Sequence, residues 1–320
     1  MPVAEDVPAI VGLVHAHERV ARGSAAADPE TVSAWVTGAG SWTRRQVVAQ
    51  DPEGRCRAWV WVHDRAAGRT IVELVVDPDL EPGTADAVAE VLLAWAAEVG
   101  REMAQLRLLD GTQLDASAYV GDDRQRAWLE RAGYRCTRTW LHMTRPVEDA
   151  ASLPGSREGV TVRPVAQHDD GMPVAHDIQV VHRMLEESFA DHFNSYRESF
   201  PEFLQRLRED PGHRWDHWWI AEIDVDGEPV PGGALVGSVL SPDDSGAEGS
   251  YVDYIGVHRR ARGRGVAKAL LHTVVRDAHE RGRNRVDLEV DAESPTGADG
   301  LYSSMGWTVK YRTESWHAEV

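Results

Sequence analysis

Residues 257–271 read Val-His-Arg-Arg-Ala-Arg-Gly-Arg-Gly-Val-Ala-Lys-Ala-Leu-Leu, and this stretch decides the fold. A strand-like run ends at Val257. After Gly265 the apolar residues Val266, Ala269, Leu270, Val274 and Ala278 fall on one helical stripe, so a helix is expected to begin near Gly265. Between them lies a loop of glycine and arginine. Gly263 and Gly265 let the backbone come close to a ligand and adopt positive φ. The first turn of the helix offers unpaired N–H groups, and its dipole favours an anion. Arg259, Arg260, Arg262, Arg264 and Lys268 crowd this one segment of a chain whose formal charge is −18. The segment is built for a phosphate or pyrophosphate. A Walker A loop would need Gly-x-x-x-x-Gly-Lys-Ser/Thr, which is absent. A dinucleotide fingerprint fits at Gly263 and Gly265, but Lys268 stands where its third glycine belongs, and the strands before it read as antiparallel.

Working outward, helices are expected over 180–189 and 198–209, and strands over 218–224, 234–241 and 250–257. Turn residues such as Pro229, Pro231 and the run SPDDSGAEG separate these strands. Beyond the loop the order becomes helix, strand (285–290) and a closing turn at Gly306. The same order occurs earlier: the strand-like TIVELVVDP near residue 70, the helix-like AVAEVLLAWAAEVG, the strand-like AQLRLL, and a turn at Gly133. This is a duplicated domain, since the unit is far longer than the ~50 residues of a solenoid repeat. The polar residues 148–159, with Pro154 and Gly155, read as a linker, and residues 160–164 as the first strand beyond it. Two α+β domains follow, over 1–147 and 160–320, each a mixed, mostly antiparallel sheet flanked by helices.

The 320 residues suit two cores of about 150 residues each. No stretch approaches the ~20 apolar residues of a membrane span, and the first residues lack a leader pattern. The net charge argues against nucleic acid and favours a cationic partner such as an amine. Cys56 and Cys136 are too few for a disulfide framework or a zinc ribbon and suit a reducing cytoplasm.

Arg262-Gly-Arg-Gly-Val-Ala267 resembles the Arg/Gln-x-x-Gly-x-Gly/Ala signature of the GCN5-related N-acetyltransferase (GNAT) superfamily, and residues 160–320 look like one complete domain of it. The tandem arrangement, with Phe189-Ala-Asp-His192, resembles the mycothiol synthase branch. The resemblance implies that Arg262, Gly263, Arg264, Gly265, Val266, Ala267 and Lys268 hold the CoA pyrophosphate. It also implies that the strand ending at Val257 pairs with the pantetheine arm and splays from the strand at 285–290. The segment Asp291-Ala-Glu-Ser-Pro-Thr-Gly-Ala298, followed by Leu301-Tyr302 and Gly306-Trp307, is similar to the family's next motif, with Ser294 in place of the usual Asn. It implies that Tyr302 protonates the leaving thiolate, a transfer from a phenol of pKa about 10 to a thiolate of pKa about 8.5 that requires close alignment. The family often places a Glu at the position of Tyr251. Asp253, two residues on and on the same strand face, is the candidate base, directly or through water. Tyr251, Asp191 and His192 are expected to line the acceptor pocket. The cluster of Trp215, Trp218 and Trp219 reads as packing.

The first copy carries Asp77-Pro-Asp-Leu-Glu-Pro-Gly-Thr-Ala-Asp86 in place of the basic loop, and Leu129 in place of Tyr302. It is expected to be non-catalytic and to bind no CoA strongly. The expected reaction is direct transfer of an acetyl group from acetyl-CoA to a small-molecule primary amine, without a metal. The alternatives are a longer acyl-CoA on the same fold, or a non-catalytic acyl-CoA sensor, which the missing Glu at Tyr251 favours and Tyr302 disfavours. No motif encodes the acceptor or the oligomeric state.

Overall fold

The computed structural model describes residues 1–65, 69–190, 198–294 and 297–320. The first half runs α1 (Val7–Arg22), α2 (Pro29–Val36), β1 (Arg44–Gln50), β2 (Cys56–Arg65), β3 (Arg69–Val76), α3 (Pro82–Leu106), β4 (Gln113–Tyr119), α4 (Asp123–Arg131) and β5 (Arg135–Pro146). The second half runs β6 (Val160–Pro164), α5 (Ala175–Phe189), α6 (Phe200–Arg208), β7 (His213–Val225), β8 (Glu228–Leu240), β9 (Gly249–Val257), α7 (Val266–Glu280), β10 (Arg285–Asp291), α8 (Ala298–Ser304) and β11 (Thr308–Glu319). Apart from β6, the two halves repeat one element order, and the turns after α4 and α8 both use a glycine at positive φ, Gly133 at 86° and Gly306 at 92°. The fold is α+β, as the patterning predicts. No helix among the described residues is long and apolar enough to cross a membrane.

All strands join one 11-stranded sheet in the order β1-β2-β3-β4-β11-β5-β10-β9-β8-β7-β6. Neighbours are antiparallel except β3 with β4 and β9 with β10, the strand–helix–strand crossovers carrying α3 and α7. The last strand of each half is exchanged. β5 pairs with β10 of the second half, and β11 inserts between β4 and β5, so that Thr313 faces Tyr119 on one side and Trp140 on the other.

Alternation along the strands divides the core between two faces. In β2, Ala58, Val60 and Val62 pack with α3, whereas Trp59 and Trp61 pack with α1 and α2. In β7, Trp219, Ala221 and Ile223 pack with α7, whereas Trp218 and Ile220 pack with α5 and α6. The tryptophans of this segment are therefore largely core, with Trp215 set against Trp218 at 5.1 Å between ring centroids. The expected stripe on α7 is buried throughout.

One expected strand is wrong. AQLRLL is not extended: α3 continues to Leu106 and ends where Leu108 takes φ 56°, and the strand is the following Gln113–Tyr119. The apolar residues there extend the buried stripe of α3 through Met103 and Ala104, and helix periodicity outlasts the strand-like composition.

The halves are also tied by a buried ion pair. Glu209, just beyond α6, accepts from Arg44 Nη1 at 2.7 Å and Thr43 Oγ1 at 2.9 Å, and the Arg44 guanidinium lies 5.2 Å from the ring centres of Trp35 and Trp61. Both charged side chains are buried. Glu209→Gln keeps the shape but leaves the arginine cation without its counter-charge. It should cost about 2 kcal/mol of stability in denaturant unfolding; a variant with the parent's midpoint and slope would show that the pair contributes nothing.

Candidate active site

The site begins where two parallel strands part. β9 and β10 are paired from Gly249↔Arg285 to Val252↔Leu288 and no further, while β9 continues to Val257 on β8 alone. The gap leaves the β9 edge beyond Val252 free of β10, as the resemblance implies. At the apex of the gap β9 also carries a bulge: Val236 and Gly237 of β8 face Tyr254 and Val252, and Asp253 is the extra residue between. Bulges re-aim side chains next to functional sites.

Below the open end of β9 the chain turns through Gly263 and Gly265, with φ 77° and 90°, into α7. The first-turn N–H groups of Val266, Ala267 and Lys268 have no backbone acceptor among the described residues, since the first helical bond is Ala269 N–H to Gly265 O at 3.0 Å. Unpaired N–H groups at a helix start are able to hold an anion. The amides of Arg262 and Arg264 are less free, because they donate to Arg259 O and Ala261 O at 3.3 Å. Two of the five cations serve the loop itself: Arg260 Nη2 donates to Pro231 O at 2.7 Å and Arg264 Nη2 to Asp224 O at 2.9 Å. Arg157, from the connecting segment, lies over the loop, with Nη1 donating to Gly263 O at 3.4 Å.

These features open on one cleft of about 1470 Å³. Val257, Arg262, Gly263, Gly265, Val266, Ala267 and Lys268 line it, as do Asp253 and Tyr302; Arg264 and Tyr251 do not. Asp191 and His192 lie outside the described residues. Tyr251 is half-buried, and burial, then the charges of Glu289 and Asp253, raise its phenol well above the ordinary value. Burial also pushes Asp253 up to about 7, with the Asp210 charge adding to it, while a Ser238 hydrogen bond and the Arg206 cation pull the other way. Tyr302 is buried, packs on Trp307 at 6.0 Å between centroids and is raised by burial to about 12, so it keeps its proton at neutral pH. Among the described residues its hydroxyl makes no hydrogen bond, which leaves the proton to be given elsewhere. This chain thus sets a group that exchanges a proton near neutrality and a phenol that holds one in the same cleft.

Three contributors escaped sequence reasoning. Glu289 follows the last residue of β10 that pairs with β9, lines the cleft and is raised by burial to about 7. Arg157 is far from the loop in sequence. The first half supplies Arg65, Arg69, Arg138 and Trp140 to the wall. Only Glu289 carried a signal, an acidic residue beside the predicted splay.

The cleft lies beside splayed parallel strands and has both the glycine-arginine helix entry and the buried Tyr302 in its wall, an arrangement that suits an acyltransferase. Residues 181–307 match the family model for the acetyltransferase (GNAT) family. The matched segment lies within the second half of the chain. Its fold is similar to a GCN5-related N-acetyltransferase from Sphaerobacter thermophilus, at 27% identity and TM-score 0.72, covering 99% of this chain and 94% of that one. It is also similar to a tandem GNAT protein from the clavulanic acid biosynthesis pathway, solved without AcCoA, at 16% identity and TM-score 0.68, covering 98% and 95%. No curated protein matches the chain.

Proposed function

We propose that the second half transfers an acetyl group from acetyl-CoA to a primary amine of a small molecule by direct attack, and that the first half, residues 1–147, is non-catalytic. The observation that carries this reading is that the loop, Asp253 and Tyr302, on separate elements, line one cleft. Acetyl-CoA supplies the activated thioester. The amides at the start of α7 hold its pyrophosphate, with Arg262, Lys268 and Arg157 alongside. Asp253 takes the proton of the acceptor ammonium, the new N–C bond forms as the C–S bond breaks, and a backbone N–H of the free β9 edge near Val257 donates to the carbonyl oxygen. Tyr302 gives its proton to the departing sulfur, and the second proton shed by the acylated nitrogen restores the phenol. The first half lacks these means: the Glu81 carboxylate accepts from Thr84 N–H at 3.0 Å and already occupies the start of α3. The free thiols Cys56 and Cys136 suit cytoplasmic chemistry. The mycothiol synthase branch is not singled out by any match.

The test is a mass-spectrometric screen of amines with acetyl-CoA and longer acyl-CoAs, followed by a pH profile on a working acceptor. Asp253 acts when ionised, so kcat/KM should rise about tenfold per unit below pH 7 and level above it. Asp253→Asn should lower the rate at least tenfold and remove that limb, whereas Glu289→Gln should keep it. An inflection that survives Asp253→Asn and vanishes in Glu289→Gln would move the base to Glu289. The same shift bears on stability. Because the folded-state value lies above the ordinary carboxylate value, the bound proton favours the fold at low pH, and this contribution is lost as pH rises from about 4 to about 7. Asp253→Asn should therefore unfold no more easily than the parent above pH 7.

A further inference from the structure

The first half repeats the splay and keeps a carboxylate at its apex. β3 and β4 are paired from Arg69↔Gln113 to Val72↔Ala116 and no further. The second-half pairing covers the same four positions, Gly249↔Arg285 to Val252↔Leu288. The next residue is Glu73 in one half and Asp253 in the other. Glu73 opens on a pocket of about 410 Å³ that shares Trp140, Glu289 and Ser315 with the main cleft. The two spaces are neighbours across the exchanged strands.

The pocket presents acceptors and few free cations. Each charged neighbour of Glu73 is accounted for. On α1, Glu18 and Arg22 pair at 2.9 Å, and Arg22 lies over the Tyr311 ring at 4.8 Å. Arg69 pairs with Asp115. His142, lowered by burial to about 4, is neutral, bonded to Thr313 Oγ1 at 2.9 Å and 3.6 Å from Glu289. Glu73 itself makes no hydrogen bond or ion pair among the described residues, and burial, then the charge of Glu18, push it up to about 8. Beside it the buried Gln125 donates Nε2–H to Leu74 O at 3.1 Å, which fixes its orientation and leaves Oε1 facing no donor. A buried carbonyl oxygen left unmet destabilises the fold unless a ligand or water donates to it. The remaining wall is aromatic: Tyr119 and Tyr311 have ring centroids 5.7 Å apart, and His142 stacks on Tyr311 at 4.2 Å. A lone carboxyl, an unmet carbonyl oxygen and π faces together suit an ammonium, which donates hydrogen bonds and is attracted to aromatic rings.

We infer that the acceptor carries a second ammonium group, held in the first-half pocket by Glu73, Gln125 and the Tyr119–Tyr311 wall while its reacting amine is presented to Asp253. The acceptor class is thus a diamine or longer polyamine-like molecule. The inference rests on the acyl-transfer reading for the role of the first amine, and on the pocket alone for the second.

The test compares straight-chain diamines of four to twelve carbons with the monoamines of equal length. With the full chain and acetyl-CoA, at least one diamine should be used with a kcat/KM tenfold or more above its monoamine. Glu73→Gln should erase this preference while leaving monoamine turnover and CoA affinity near the parent's. Calorimetry of diamine binding without acyl-CoA, in two buffers of different ionisation enthalpy near pH 7, should show proton release that Glu73→Gln removes, because the incoming cation favours the ionised carboxyl. Should Glu73→Gln not fold, Ser117→Phe, at an exposed position on the pocket wall, blocks the same space and should give the same loss. Equal use and equal binding of diamines and monoamines by the parent, or a preference unchanged in the folded variants, would overturn the inference. Failure of acyl transfer with every amine while Glu73-dependent diamine binding persists would instead strike the proposed reaction.

Discussion

Gly265→Val should abolish CoA binding, lowering affinity by at least 100-fold in calorimetry. Two effects act together. Gly265 has φ 90°, a conformation that costs a β-branched residue about 1–3 kcal/mol. A Cβ there would also lie 2.8 Å from Arg157 Cδ and 3.2 Å from its Nε. Arg157 can move, but it is then displaced from the carbonyl of Gly263 and from the place where a diphosphate would meet it. The start of α7 would be reshaped where its free N–H groups converge. The parent should saturate at one CoA per chain, because Glu81 and the acidic turn before α3 close the corresponding place in the first half. A folded Gly265→Val protein that binds CoA like the parent would remove the loop from the assignment, and a parent that binds two would show that the first half is open to CoA as well.

Tyr302→Phe should cut turnover by roughly 100-fold or more, the ordinary worth of a positioned acid. The ring and its packing on Trp307 are retained, so stability and CoA affinity should stay near the parent's. A chain that only sensed acyl-CoA would show no turnover to lose, and a Tyr302 that only packed would make the substitution silent in rate. Single-turnover measurements should accompany the steady state, because slow product release can conceal a loss in the chemical step. Full single-turnover activity in the Phe variant would exclude Tyr302 as the acid.

The parts of the site that could be read from the sequence are those whose chemistry is local in the chain. Gly263 and Gly265, the arginines around them and the apolar stripe of α7 lie within a few turns, and each constrains its neighbours. The strand ends at Val257 and Pro164 are marked by charge and turn residues and fall where expected. β4 lies beyond its expected position because Leu106, Leu108 and Leu109 are apolar without being strand: the first ends α3, and all three are exposed. The bulge at Asp253 depends on how β8 registers against β9, which periodicity does not specify. Arg157, Trp140 and Glu73 reach their places through tertiary approach, and composition carries no trace of which strand will lie beside which. The exchange of β5 and β11 is the clearest instance, since either strand has the same alternation whichever neighbour it joins.

That exchange makes cooperativity a property of the connectivity. β5 leaves the first half to complete the hydrogen-bond ladder of β10, and β11 leaves the second to complete that of β4. Neither half can lose its order without stripping a central strand from the other, so the ladder has no internal seam along which partial unfolding could stop. The two folded units are thermodynamically one, and the segment at 148–159 joins parts that the strands already interlock.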